Sequence, residues 1–187
     1  MIDMNTPKIV LFYNEMWNTP LNYPSKEMPQ GFVITTNRNL MDQAVAVVFH
    51  VPTLSTDLLL KENVNKKNDQ IWVAWSMESE AYYPLMIDRH FMSHFDITMT
   101  YHLDSDIPVP YVTNDFADLI KHTPSPKKPE NIASAFISRP LNKSGRIQLL
   151  VQLMGHIQVH SYGKLLNTNS LNRDEGRQTK MDIISQY

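Results

Sequence analysis

Ile71-Trp72-Val73-Ala74-Trp75-Ser76 is an unbroken run of β-branched, aromatic and small residues with no strict apolar–polar alternation. Such a run reads as a strand whose two faces are both covered, the pattern of a parallel sheet flanked by other elements. Similar runs lie on either side of it. Lys8–Tyr13, Phe32–Thr36 and Ala44–Val51 precede it, and Ile97–Tyr101, Ala133–Ser138 and Gln158–Tyr162 follow. Helical patterns fall at Thr56–Glu62, Leu85–Ser93, Asp115–Lys121, Gly145–Met154 and from about Asp174 to Ser185. Strands alternating with helices predict a mostly parallel α/β architecture.

The clearest break is His122-Thr123-Pro124-Ser125-Pro126-Lys127-Lys128-Pro129-Glu130. Three prolines among polar residues remove amide donors and favour extended backbone, as in a linker. The expected organisation is a Rossmann-like domain over 1–122, a linker over 123–130, and the first βαβα part of a second Rossmann-like domain over 131–187. Ile147, Leu150, Val151 and Met154 form one helical stripe, which Leu149 and Leu153 widen. That helix calls for neighbours on two sides, and a single βαβ unit cannot supply them. The Thr19–Pro29 stretch, rich in proline, reads as a surface loop.

Composition narrows the function. The 187 residues are 42% hydrophobic and 19% charged with a net charge of −2, a globular balance without the basic excess of a nucleic-acid binder. No cysteine is present, which removes disulfides, thiolate catalysis and cysteine-ligated zinc. The longest apolar run, Ala44–Phe49, is far too short to span a bilayer. Met1-Ile2-Asp3-Met4-Asn5 lacks the basic flank and apolar core of a signal peptide, so the chain reads as soluble and cytoplasmic.

Few residues invite chemistry. Glu78 follows the Ile71–Ser76 run, near the strand's carboxyl end, where open α/β sheets bind ligands. A carboxylate there can accept a proton from a sugar hydroxyl, although spacing alone favours an ordinary loop or helix-capping acid. Arg146 lies in the first turn of the helix after Ala133–Ser138, with Ser144 as the expected N-cap. Free amides and a guanidinium at that turn make a corner for phosphate; a surface ion pair is the alternative. Asp104-Ser105-Asp106 matches the Asp-x-Asp by which GT-A glycosyltransferases hold a divalent metal, but acidic residues after a strand are usually no more than a turn. His90 and His94 have zinc-compatible spacing without a third ligand, and partly buried helix histidines are expected. With five glycines and no Gly-x-Gly-x-x-Gly or P-loop, a glycine cradle for phosphate is not expected.

Three stretches carry a family resemblance. Trp75-Ser76-Met77-Glu78-Ser79 resembles the Glu-Ser-Pro segment of the α1,3-fucosyltransferase family (glycosyltransferase family 10). Phe95-Asp96-Ile97-Thr98-Met99-Thr100-Tyr101-His102-Leu103-Asp104-Ser105-Asp106-Ile107-Pro108-Val109-Pro110-Tyr111 resembles, without gaps, the family's Phe-Asn-Trp-Thr-Met-Ser-Tyr-Arg-x-Asp-Ser-Asp-Ile-x-x-Pro-Tyr-Gly block. Ala135-Phe136-Ile137-Ser138, Arg146 and Ile157–Lys164 are similar to the segment that opens the family's donor domain, and Ile184-Ser185-Gln186-Tyr187 to the lead-in of its donor motif.

The resemblance, covering roughly residues 70–187, implies a GT-B fold of two Rossmann-like domains. It also implies inverting transfer of L-fucose from GDP-fucose to a glycan acceptor, commonly N-acetylglucosamine. The implied partners are thus a nucleotide-sugar donor and a glycan, with no separate cofactor, no metal and no nucleic acid. Glu78 matches the proposed general base, and Arg146 an arginine that binds the donor diphosphate. Ser79, Tyr101, Asp104, Asp106 and Tyr162 are expected to line the cleft. The chain is expected to stop short of the donor motif and to be inactive alone, as a remnant or binding module. Peripheral membrane association would then come through the part that is missing. Golgi members of the family carry an anchor and disulfides, so a bacterial-type cytoplasmic protein is expected, with the Golgi lumen as the alternative. Four positions depart from the family pattern. Glu80 replaces the proline of Glu-Ser-Pro and His102 the arginine before Asp-Ser-Asp; Val112 replaces a glycine and Arg139 an asparagine. These departures bear on acceptor preference.

Overall fold

A computed structural model describes residues 6–17, 19–21, 29–54, 64–112, 115–121, 123, 126–128, 130, 132–171 and 176–187. They form two compact units that divide between Thr113 and Asn114, so the proline-rich stretch groups with the second unit.

The first unit is a six-stranded sheet of β1 (Lys8–Phe12), β2 (Phe32–Thr35), β3 (Ala44–His50), β4 (Ile71–Ser76), β5 (Ile97–Thr100) and β6 (Ile107–Pro108). Every pairing is parallel and the spatial order is 2-1-3-4-5-6. This is the Rossmann-like α/β arrangement expected, with its topological switch point between β1 and β3. Strands β1, β3 and β4 hold the core. Leu11, Val47, Phe49 and Ala74 are fully buried, and Phe49 meets Tyr13, Trp72 and Phe95 at ring distances of 5.0, 4.9 and 5.6 Å. Buried Gln70 satisfies polar groups inside this cluster: its carboxamide donates to the carbonyls of Met41 and Ala44 and accepts from Trp72 Nε1.

β6 is the strand the hydrophobic pattern missed, because it has only two residues and one is proline. Proline is tolerated there because β6 is an edge strand and offers no further ladder on its outer side. The single helix expected over Leu85–Ser93 is instead a 3-10 turn, Pro84–Ile87, followed by α1 (Arg89–Met92). The break lies at Asp88, whose extended backbone and side chain, accepting from the Phe91 amide, start a new helix. The helix expected over Thr56–Glu62 and most of the Thr19–Pro29 loop lie outside the described residues.

The second unit contains α2 (Phe116–Leu119), β7 (Ala133–Ala135), α3 (Arg146–Met154), β8 (Val159–Ser161) and α4 (Arg177–Ile184). β7 and β8 pair in parallel. Leu150 and Val159 are buried, whereas Leu149 is 66% and Val151 51% exposed, so only one side of the α3 stripe is covered within this unit. Ser144 is not the N-cap of α3. Gly145 occupies that position in the left-handed region at φ 72°, and Asn142 Oδ1 takes up the free amide of Ile147. Among the described residues no helix is long and apolar enough to cross a membrane.

Candidate active site

β4 ends at Ser76, and the chain turns at once. Ser76 Oγ is buried and accepts from the Glu78 amide at 3.1 Å, which sets Glu78 just past the carboxyl end of the strand. The next strand, β5, ends level with it, because Ser76 pairs with Thr100. The two following loops therefore rise side by side from the same sheet edge, and they gather most of the residues singled out in the first unit.

Glu78 is half-buried, and its carboxylate takes no hydrogen bond or ion pair among the described residues. The loop that carries it is held from several sides. Tyr111 Oη donates to the Met77 carbonyl. Ser79 closes a turn, its carbonyl accepting from the Tyr82 and Tyr83 amides and its Oγ from the Ala81 amide. Tyr101 stacks on His102 with ring centres 4.3 Å apart, and its hydroxyl donates to Glu80 Oε2 at 3.0 Å. The other oxygen of Glu80 lies 2.5 Å from His102 Nε2.

Electrostatics follow from these contacts. Partial burial disfavours the charged form of Glu80, but bonds from its own amide, His102 and Tyr101 outweigh it and hold the carboxyl below its ordinary range. Burial and the adjacent Glu80 push the Tyr101 hydroxyl up. Asp104 is exposed and borders a cavity of about 470 Å³ beside Glu80 and His102. Asp106 turns back on the sheet, where Oδ2 accepts from both the amide and the hydroxyl of Thr98 at 2.8 Å; these bonds depress its pKa. His90 and His94 are exposed rather than partly buried, with rings 5.6 Å apart.

Sequence reasoning overlooked His50, which closes the β3 run and sits at the carboxyl edge by the switch point. It is 1% exposed, between Trp17 and Trp75 at ring distances of 5.6 and 5.0 Å. Its Nδ1 is 2.8 Å from Thr53 Oγ1, whose own proton goes to the Glu15 carbonyl. Nδ1 therefore carries the ring proton, and Nε2 is left bare, buried and without a partner among the described residues. Burial lowers the His50 pKa to about 4. A polar residue ending an apolar run was the only signal in the sequence. A separate cavity of about 740 Å³, lined by Arg38, Asp42, Lys66 and Lys67 among others, includes no residue of the loops after β4 and β5.

In the second unit Arg146 opens α3. It is exposed, and its guanidinium donates to the Leu141 carbonyl at 3.1 Å. Tyr162 follows β8, stacks on Phe136 at 5.1 Å, and lines a cavity of about 370 Å³ with Ser138, Lys164, Asn167 and Lys180. Its hydroxyl meets that of Tyr187 at 3.0 Å.

A parallel sheet in this strand order defines a Rossmann-like unit, and Glu78, whose carboxylate has no bond among the described residues, stands just past one of its central strands. The chain belongs to the fucosyltransferase family: the family description "Fucosyltransferase, N-terminal" matches residues 5–112, the span of the six-stranded unit. Curated relatives agree. The chain is 29% identical over 138 residues to 4-galactosyl-N-acetylglucosaminide 3-alpha-L-fucosyltransferase 9 of Rattus norvegicus, an alignment spanning 72% of this chain and 37% of the relative. The human protein of the same name matches at the same identity and coverage. Alpha-(1,3)-fucosyltransferase 7 of Homo sapiens is 30% identical over 165 residues, or 80% of this chain and 45% of that protein. The chain thus spans less than half the length of these relatives. A six-stranded parallel unit fits the GT-B assignment of the family.

Proposed function

We propose that the protein serves fucosyl transfer, moving L-fucose from GDP-fucose to a glycan acceptor with inversion, most simply to N-acetylglucosamine in α1,3 linkage. The first unit is the acceptor side, and the second opens the donor side. Glu78 takes the proton of the acceptor hydroxyl while that oxygen attacks the fucose anomeric carbon. The bond from that carbon to the β-phosphate oxygen breaks, and GDP leaves with the electron pair. Arg146, at a helix N-terminus, stabilises the leaving diphosphate. The observation that carries this reading is the Glu78 carboxylate, held by its loop at the carboxyl edge yet bonded to nothing among the described residues. The choice of sugar and linkage is supported by the names of the relatives. Glu78→Gln, placed in a protein that joins this chain to a whole donor half, tests it. A fall in kcat of about 10²–10⁴ with near-normal acceptor KM is expected, and near-normal turnover would remove the base assignment.

A second reading, a binding module without turnover, is favoured by the two-stranded sheet of the second unit and the exposed Leu149 and Val151 beside it. Calorimetry with GDP separates the two: weak or absent binding by this chain supports the module, and tight binding opposes it. As to compartment, the mammalian origin of the relatives is compatible with the Golgi lumen.

A further inference from the structure

Glu80 and His102 stand at two of the four positions where the chain departs from the family pattern, and the fold brings these two together. They lie on different loops, yet Glu80 Oε1 meets His102 Nε2 at 2.5 Å and Glu80 Oε2 accepts from Tyr101 at 3.0 Å. A carboxylate can only accept, so the proton of that contact is on Nε2, and Nδ1 is left without a partner among the described residues. The side chain of His102 is 46% exposed and that of Glu80 25%, so the pair is accessible and still fixed in place.

The cavity beside this pair has two kinds of wall. Met86, Ile87 and Met92 supply apolar surface, and Glu80, His102 and Asp104 supply acceptors and a ring nitrogen. Its volume of about 470 Å³ lies within the usual range of small-molecule sites. A pyranose presents the complementary surfaces: a C–H face that packs on thioether and aliphatic carbon, and an edge of hydroxyls that both donate and accept. Methionine suits the first because its flexible, polarisable chain adapts to an irregular apolar face. Buried or half-buried polar groups that would be left unpaired give strong discrimination for the second. Glu78 is two residues from Glu80 on the same short loop.

We propose that Glu80 and His102 form the polar rim of an acceptor-sugar subsite, a specificity-determining pair of this chain that hydrogen-bonds neighbouring hydroxyls of a pyranose packed on Met86 and Met92. The subsite rests on the fucosyl-transfer reading for its choice of sugar. It replaces a proline and an arginine of the family pattern with an acceptor–donor couple, and so sets an acceptor preference particular to this chain.

The test is titration of the 187-residue chain, methyl-labelled at methionine, with N-acetyllactosamine. The Met86 and Met92 methyl signals should shift saturably, while Met41, which lies on a different cavity, stays still. Glu80→Gln and His102→Ala should each weaken the sugar about tenfold, with the other methionine signals unchanged as proof of folding. His102→Gln, which keeps a side-chain N–H donor, should retain binding. A lock that merely ties two loops would leave the sugar affinity of all three variants alike. Unmoved Met86 and Met92 signals, or shifts undiminished in both Glu80→Gln and His102→Ala, would overturn the proposal. The base assignment stands or falls separately: Glu78→Gln is read in turnover, and its failure there leaves the methyl shifts in place.

Discussion

Asn14 grips the backbone of His50 twice, its Nδ2 donating to the His50 carbonyl at 2.8 Å and its Oδ1 accepting from the His50 amide at 2.9 Å. The carboxamide thereby extends the β1–β3 pairing past the last ladder bond, across the switch point of the sheet. It also donates to Thr53 Oγ1 at 2.9 Å, the hydroxyl that sets the His50 tautomer.

Removing that clamp leaves the His50 backbone groups without their partners. Asn14→Ala is expected to cost about 2–3 kcal/mol, because two backbone groups of a buried residue lose their bonds together. Urea unfolding followed by tryptophan fluorescence measures it, and a loss below about 0.5 kcal/mol would show that water replaces the carboxamide.

His50 should make the first unit acid-sensitive. Its folded-state pKa of about 4 lies below its ordinary 6.5, so protons bind more readily to the unfolded chain. Stability from this residue is complete above pH 6.5 and is lost as the pH falls toward 4. Between neutrality and pH 4.5 the loss should be roughly 2–3 kcal/mol. His50→Gln should flatten that slope, whatever its effect at pH 7. An unaltered slope would mean that carboxylates elsewhere control the acid limb.

Two glycines of the second unit should respond differently to alanine. A Cβ at Gly163 would lie 2.1 Å from the Ile137 carbonyl oxygen and 2.4 Å from its nitrogen, both backbone atoms that cannot swing aside. A Cβ at Gly145 meets nothing within 4 Å, and only the φ of 72° opposes it. Gly163→Ala should therefore cost about 3 kcal/mol or more and Gly145→Ala about 1 kcal/mol. Comparing the far-ultraviolet melting curves of the two variants checks the order, which should not invert.

Neighbouring leucines on α3 should also separate. Leu150 is 8% exposed and Leu149 66%. Leu150→Ala should lose about 2–4 kcal/mol, whereas Leu149→Glu should stay within about 0.5 kcal/mol of the parent. Leu149→Glu should also reduce binding of an apolar dye. Equal losses would mean that this face is covered in solution.

Reading the chain for hydrophobic runs located seven of the eight strands among the described residues, because a strand buried on both faces writes its apolar content into consecutive residues. The run Ile71–Ser76 is a strand over the whole of that span. Helix limits were less well marked. Asp88 diverted its segment by capping a new turn, and Gly145 took the place expected of Ser144 through a left-handed φ that composition does not announce. Glu78 and Arg146 were marked by position, one after a strand and one at a helix start, and their expected roles came from the family resemblance.

By itself the sequence determined the class of fold, the order of its strands along the chain and the family, since all three reside in local runs and in one long ungapped block. Only the tertiary structure decided which residues meet. Glu80 and His102 look like two unrelated departures until parallel pairing of β4 with β5 sets their loops side by side, and the bare Nε2 of His50 exists only because Trp17, Thr53 and Trp75 close around it. The physical reason is range. Backbone preference and apolar periodicity act over a few residues, whereas a hydrogen bond or a buried ring needs partners that only chain crossing brings together.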